Sequence, residues 1–209
     1  LSISNSFGDD ATAYLHQIAP ADGVKLDVTT LYIGGCTMDT HYRNMLGNAK
    51  SYMLFFNGEF TGFYTTMEEA LLSRTFDAIS LQQCSHLAGV KETYSPYLSE
   101  LIDYLRTYQP KAKIYFHQTW AYETNSTHKH FVNYEHNQVK MYEAIKSSSE
   151  QVVKSLGIQL IPTGTVIQML RETVAEFDFK NGGISLCRDG FHLSLDYGRF
   201  AAAATWLHT

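Results

Sequence analysis

Residue types suited to acyl transfer occur at two widely separated places in this chain of 209 residues. Ser6 lies in Ile3-Ser-Asn-Ser-Phe-Gly-Asp-Asp10, where a short apolar run that reads as a strand gives way to a polar turn and then to a helix. A hydroxyl at such a junction is exposed at the end of a sheet, and the helix N-terminus beside it favours developing negative charge. Asp189 and His192 stand three apart in Arg188-Asp-Gly-Phe-His-Leu-Ser194. A carboxylate bonded to one imidazole nitrogen fixes the tautomer, and the other nitrogen can then take a serine proton. Each element has a plainer reading alone: Ser6 as a turn or cap residue, and Asp189 with His192 as a capped turn holding a structural histidine. Taken together, in the chain order Ser, Asp, His, they spell a nucleophile, an orienting acid and a base.

Further candidates cluster around predicted strand ends. Gly34-Gly35 follow the second strand, and a glycine N–H can approach a substrate oxygen closely because no side chain intervenes; a plain turn is the alternative. Trp120 and Tyr122, in His117-Gln-Thr-Trp-Ala-Tyr-Glu123, suit either a pocket wall or a lid over a core edge. His41 and His86 follow loops at the same end and are candidates for touching substrate. His128-Lys-His130, with His117 and His136, raises the question of a metal. Histidines two apart point the same way only on a strand, this stretch reads as a loop, and no Asp or Cys completes a set. No metal or organic cofactor is therefore expected, and these histidines read as solvated. Cys36, Cys84 and Cys187 are too few for a disulfide framework. Each stands beside a candidate element, so at least two are expected near the site, where a bond between them is an open alternative.

These side chains need a scaffold to bring them together. Leu1–Asn5 reads as a strand, and Asp9 or Asp10 can cap a helix whose apolar face is Ala11, Leu15 and Ile18. Lys25–Ile33 is a second strand, and Met38–Leu46 a short helix. Tyr52–Phe56, Asn57-Gly58 and Glu59–Thr65 form a hairpin signal, read as an insertion. Thr66-Met-Glu-Glu69 is a capping box for a helix over Met67–Ser73. Phe76–Gln82 is a buried strand, and Ser95-Pro96 opens a helix with Leu98, Leu101, Ile102 and Leu105 on one face. Ala112–His117 is a strand followed by a polar loop, Gln118–Lys129. Phe131–Leu156 is a long helix ending at Gly157, Ile158–Ile161 a last strand, and Thr165–Phe177 a helix. Ser194 caps the final helix, which runs to Leu207.

Strand and helix thus alternate five times, the pattern of an α/β protein with a parallel sheet covered on both faces. The expectation is a three-layer α/β/α fold over residues 1–209, with a central, mostly parallel five-stranded sheet and a small hairpin insertion. Ligands of such sheets sit beyond the carboxyl ends of the strands, which is where Ser6, Gly35, Gln82-Gln83, the 117–123 loop and His192 would lie. The net charge of −5, without a run of Lys or Arg, speaks against nucleic acid. No apolar stretch is long enough to cross a bilayer.

Five ordered blocks carry a resemblance: Asn5-Ser-Phe7, Tyr32-Ile-Gly-Gly-Cys36, Leu81-Gln-Gln83, His117-Gln-Thr-Trp-Ala-Tyr122 and Cys187–Ser194. Over essentially its whole length the chain resembles the SGNH, or GDSL-type, lipase and esterase superfamily, and most of all a bacterial branch known as a domain of unknown function. The resemblance implies a flavodoxin-like fold and hydrolysis of carboxylic esters through an acyl-serine. It gives Ser6 as nucleophile, His192 as general base and acid, and Asp189 as its orienting partner. The N–H groups of Ser6 and Gly35 would be two arms of the oxyanion hole. The superfamily's Gly-Asp before the serine is Ser4-Asn5 here. Its Gly-x-Asn-Asp after the third strand is replaced by Gln82-Gln83, of which Gln83, with Gln82 close behind, is the expected third donor. The substrate would be a small-molecule or glycan ester with a short acyl chain, a carbohydrate O-acetyl ester being the narrower alternative. The non-catalytic alternative is a glycan- or ester-binding relative with an incomplete oxyanion hole. A secreted or periplasmic location accompanies the resemblance.

Overall fold

The computed structural model describes residues 1–209. Its strands are β1 (Ser2–Ser4), β2 (Thr29–Tyr32), β3 (Tyr52–Phe56), β4 (Glu59–Thr65), β5 (Ala78–Leu81), β6 (Lys113–His117) and β7 (Gln159–Ile161). They form one sheet in the order β4-β3-β2-β1-β5-β6-β7. The five strands from β2 to β7 are parallel to one another. The hairpin β3–β4 is antiparallel and pairs with β2 through Leu31 opposite Leu54. The expected five-stranded sheet is therefore extended to seven, because the hairpin joins its edge and does not stand apart as an insertion. Asn57 and Gly58 both have positive φ, 52° and 85°, as a type I′ turn requires. Gly62, in the middle of β4, has φ 83° and interrupts that strand's regular geometry.

The helices are α1 (Ser6–Thr12), α2 (Leu15–Ile18), α3 (Met38–Leu46), α4 (Met67–Ser73), α5 (Tyr97–Tyr108), α6 (Gln138–Leu156), α7 (Thr163–Thr173) and α8 (Tyr197–Leu207). Several boundaries differ from the sequence reading for identifiable reasons. The first helix starts at Ser6, since Asn5 is its cap: the Asn5 side chain accepts the Phe7 N–H. Neither Asp9 nor Asp10 caps it. The long helix starts at Gln138, because Glu135 and His136 take left-handed φ of 55° and 52° and turn the chain before Asn137 caps α6. The preceding residues, Lys129–Tyr134, form a 3₁₀ helix. Pro96 itself occupies the cap position of α5, and Asp196, not Ser194, caps α8.

Each face of the sheet carries its own core. Ile3, Leu31, Ile79, Leu81 and Phe116 pack against apolar side chains of α3, α4 and α5. Phe7, Trp120, Tyr122, Ile145, Ile167 and Ala202 form the other core, with side chains from α1, α6, α7 and α8. On β1, Ile3 belongs to the first core. The small Ser4 meets α1 instead: a Cβ added at Gly8 would lie 2.4 Å from Ser4 Cβ and 2.6 Å from Gln82 Oε1. Only glycine allows this approach, which brings the start of α1, and Ser6 with it, down onto the sheet end.

Candidate active site

Ser6 is the first residue of α1, directly after the Asn5 cap. Its Oγ lies 2.9 Å from His192 Nε2, and His192 Nδ1 lies 2.7 Å from Asp189 Oδ2. The other Asp189 oxygen accepts the backbone N–H groups of Phe191, at 3.1 Å, and His192, at 2.7 Å. These bonds close a tight turn in which Gly190 has φ 85°. Partial burial acts to raise the Asp189 pKa. The His192 ring and the two N–H donors outweigh it and hold the carboxyl below the usual aspartate range. A carboxylate so fixed keeps the Nδ1 proton of His192 in place and leaves Nε2 to face the serine.

The turn is anchored on both sides by charged pairs that the sequence reading did not foresee, Asp10 reading there as a helix cap. On one side Asp10, 0% exposed, accepts the Leu193 N–H at 2.9 Å and binds Arg188 and Arg199. On the other, Glu123 and Arg171 form a buried ion pair at 3.3 Å. Glu123 donates its backbone N–H to Gly190 O at 2.7 Å, and Arg171 reaches Ala121 O and Cys187 Sγ. No local pattern could have revealed these pairs, since the partners of Asp10 stand 178 to 189 positions away.

The N–H groups of Ser6 and Gly35 bond no acceptor within the protein, and both residues line a cleft of about 350 Å³ that also contains His192. The two glutamines expected to complete the oxyanion hole are committed elsewhere. Gln82 donates its amide to Asn5 Oδ1 at 2.6 Å, and its Oε1 meets His117 Nδ1 at 2.9 Å. Gln83 accepts from Met38 N and Cys84 N and donates to the Thr93 carbonyl and hydroxyl. Both are buried in these networks and neither lines the cleft, so neither presents an N–H to an oxyanion there. What Gln82 does instead is hold Asn5, whose amide also donates to Cys36 O at 3.0 Å. It thereby ties the residue before Ser6 to the loop of Gly35.

Of the four residues expected to touch substrate, only His86 lines the cleft. Trp120 is fully buried, stacked on Phe7 at 4.5 Å, with its indole N–H on Phe191 O at 2.7 Å. It braces the His192 turn from beneath. Tyr122 is likewise buried, its hydroxyl 2.9 Å from Ser85 Oγ. His41 is sealed in the core and pairs with Tyr52 at 3.0 Å. His128 and His130 are not freely solvated: both line the cleft beside His86. No group of three or more His, Cys, Asp or Glu side chains is placed to hold a metal ion. The three cysteines are buried and free. A larger cavity, about 450 Å³, opens between Leu1, Val28, Phe76 and Trp206, away from these residues. It is lined mostly by apolar side chains and holds neither Ser6 nor His192.

A three-layer sandwich with a serine, a histidine and an aspartate linked at the carboxyl edge of its first strands defines a class, the SGNH and GDSL hydrolase fold. Solved structures share it. The "putative SGNH hydrolase" of Slackia heliotrinireducens superposes with a TM-score of 0.64 at 18% identity, covering 100% of this chain and 96% of that one. An acetyl xylan esterase, AlAXEase, does so with a TM-score of 0.57 at 14% identity, covering 100% of both chains. Likeness at these identities is one of fold. Within the fold, the chain belongs to the family described as a domain of unknown function, DUF4886, which matches residues 1–209. The crystal structure of a DUF4886 protein from Bacteroides uniformis is 38% identical, with a TM-score of 0.89, covering 99% of this chain and 80% of that one. No curated protein matches the sequence.

Proposed function

We propose that the protein is a serine hydrolase of carboxylic esters with short acyl chains. One observation carries the reading: Ser6 Oγ, His192 and Asp189 form an unbroken series of hydrogen bonds of 2.9 and 2.7 Å at the mouth of a cleft. In this reading His192 Nε2 takes the Ser6 proton as Oγ attacks the ester carbonyl. The carbonyl oxygen gains negative charge and is met by the N–H groups of Ser6 and Gly35, with the positive end of α1 behind them. His192 then gives the proton to the leaving alcohol, and the acyl group stays on Ser6. Water enters, loses a proton to His192 and releases the acid. An oxyanion hole of two backbone arms lacks a side-chain donor. Loss of one such donor costs about 2.7–4 kcal/mol of transition-state stabilisation elsewhere, so turnover is expected to be modest.

The cleft is small, with few hydrophobic residues among those lining it; this supports an acetyl-sized acyl group over a long chain. The structural neighbours that act on acetylated xylan lend the same direction to the alcohol part, a carbohydrate O-acetyl ester. The test is labelling with a fluorophosphonate probe, joined to a chain-length series of 4-nitrophenyl esters. Label is expected on Ser6, absent in Ser6→Ala, with turnover falling by about 10⁴-fold or more in His192→Ala. A folded protein that takes no label would refute the enzymatic reading and favour a ligand-binding one. Peak activity on long acyl chains would refute the short-chain part.

A further inference from the structure

Beside Ser6 and His192 the cleft is walled by three neighbouring imidazoles. The ring centroids of His86 and His130 are 4.3 Å apart, those of His128 and His130 5.7 Å, and those of His86 and His128 6.3 Å. Two of these rings have Nδ1 occupied. Cys84 Sγ lies 3.2 Å from His86 Nδ1. Burial pushes that thiol up to about 11, so it keeps its proton and can donate it to the ring. The backbone N–H of His130 reaches His128 Nδ1 at 3.3 Å. A neutral imidazole carries one N–H, which in His128 must then sit on Nε2, and in His86 does so when the thiol donates. Lys129 stands between the two loop histidines, exposed, at the cleft rim. No Asp or Glu lines the cleft, although the whole chain carries a net charge of −5. The wall thus offers hydrogen-bond donors and a cation, with no carboxylate among the residues that line the cleft.

We propose that the wall formed by His86, His128, Lys129 and His130 is a recognition site for a carboxylate, carried by the substrate on the side away from the ester that is cleaved. The site itself rests on the geometry of the wall; its service to a substrate rests on the ester-hydrolase reading. Two imidazole Nε2–H groups and an ammonium supply charge-assisted bonds to a carboxylate. A sugar acid or a dicarboxylic half-ester has the chemistry to meet both ends of the cleft. The wall disfavours protonation of its own rings. Burial, then the charges of His130, His128 and Lys129, lowers His86 to about 4, and burial with His130, Lys129 and His192 lowers His128. The other groups facing the cluster are Cys84, Tyr122 and Tyr134, kept neutral by burial, and Asp189, which acts in the opposite sense on His128. A bound anion offsets the mutual repulsion and raises the proton affinity of the rings. Binding therefore takes up protons and tightens as pH falls.

The experiment is calorimetric titration of succinate into the Ser6→Ala protein, which cannot turn over and so reads binding alone. Succinate is expected to bind, more tightly at about pH 5.5 than at about pH 7.5 and with proton uptake. Lys129→Glu, a change at an exposed position, is expected to weaken it by about tenfold or more, and Lys129→Arg to retain it. Absence of binding at both pH values, or equal binding by Lys129→Glu, overturns the site. On the parent protein, the preference for a succinyl over an acetyl nitrophenyl ester should collapse in Lys129→Glu; an unchanged preference overturns the role in substrate selection. Succinate binding in a protein that takes no fluorophosphonate label overturns the hydrolase reading and leaves the site standing.

Discussion

The Asp10 carboxylate accepts the Leu193 N–H at 2.9 Å, and Asp10 is one helical turn beyond Ser6 on α1. The helix that presents Ser6 therefore also holds the residue adjoining His192. Asp10→Asn leaves Arg188 and Arg199 facing a neutral amide. Removing one partner of a fully buried pair costs about 3–5 kcal/mol. Arg188 and Arg199 keep 35% and 20% of their side-chain exposure, so about 2 kcal/mol is expected here after solvent screening. Denaturant unfolding should show that loss. Steady-state kinetics should show kcat falling with KM little changed, because the bond it disturbs positions His192 and touches no substrate. An unaltered kcat at a temperature where the variant is folded would count against this positioning role.

Gln83 separates two readings of the proposed oxyanion hole. As an oxyanion donor it would cost about 10²–10³ in kcat when removed. In the structure its amide serves Met38, Cys84 and Thr93. Gln83→Ala is therefore expected to lower stability by about 2–4 kcal/mol, through several lost and unpaired bonds. Turnover per folded molecule should fall less than about tenfold, well short of the loss of an oxyanion donor. A drop of the larger size would return Gln83 to the oxyanion hole.

Two core histidines make stability pH-dependent. Burial lowers His41 to about 4 and His117 to about 3, while an unfolded chain has histidines near 6.5. The folded state then binds fewer protons than the unfolded state below pH about 6.5, so stability is fully present above that value and lost as pH falls toward about 4 for His41 and about 3 for His117. Each histidine contributes a slope of up to about 1.4 kcal/mol per pH unit. Thermal melts should give a level Tm above about pH 7 and a declining one below about pH 6.5, with a shallower decline in His41→Gln. A Tm that rises on acidification would contradict it.

Burial pushes the thiols of Cys36, Cys84 and Cys187 up to about 12, 11 and 12. Thiolate is the reactive form, so slow modification of the native protein is expected. Thiol counting on the denatured, unreduced chain should find all three. A count of one would mean a disulfide that this structure does not contain.

What could be read from the sequence was whatever is encoded locally. Ser6, Gly35 and the Asp189–His192 turn each sit where one element ends and another begins, and a few neighbouring residues announce that. The parallel core followed from alternation of apolar runs with helical spacing. Orientation beyond the strand ends could not be read. Gln82 and Gln83 were visible as the end of β5, but their amides are claimed by Asn5 and Thr93, partners 77 and 10 positions away. Trp120 looked like a pocket wall because nothing in its loop discloses that Phe191 O awaits its N–H. His86 meets His128 and His130 only because the loop after β5 and the loop before α6 fold against each other. The hairpin showed its turn in Asn57-Gly58, yet whether it would pair with β2 depended on which strand was left at the edge.

That hairpin sets one edge of the sheet. β4 is the outermost strand on its side, and its residues from Glu59 to Tyr64 are exposed, including Phe63 and Tyr64. A flat apolar edge of that length invites another chain to add a strand. Gly62, at φ 83°, splits it into two runs of three residues, and a partner strand cannot follow the kink without losing ladder bonds. The glycine thus acts as a guard against fibre-like self-association, at a position that has no part in chemistry.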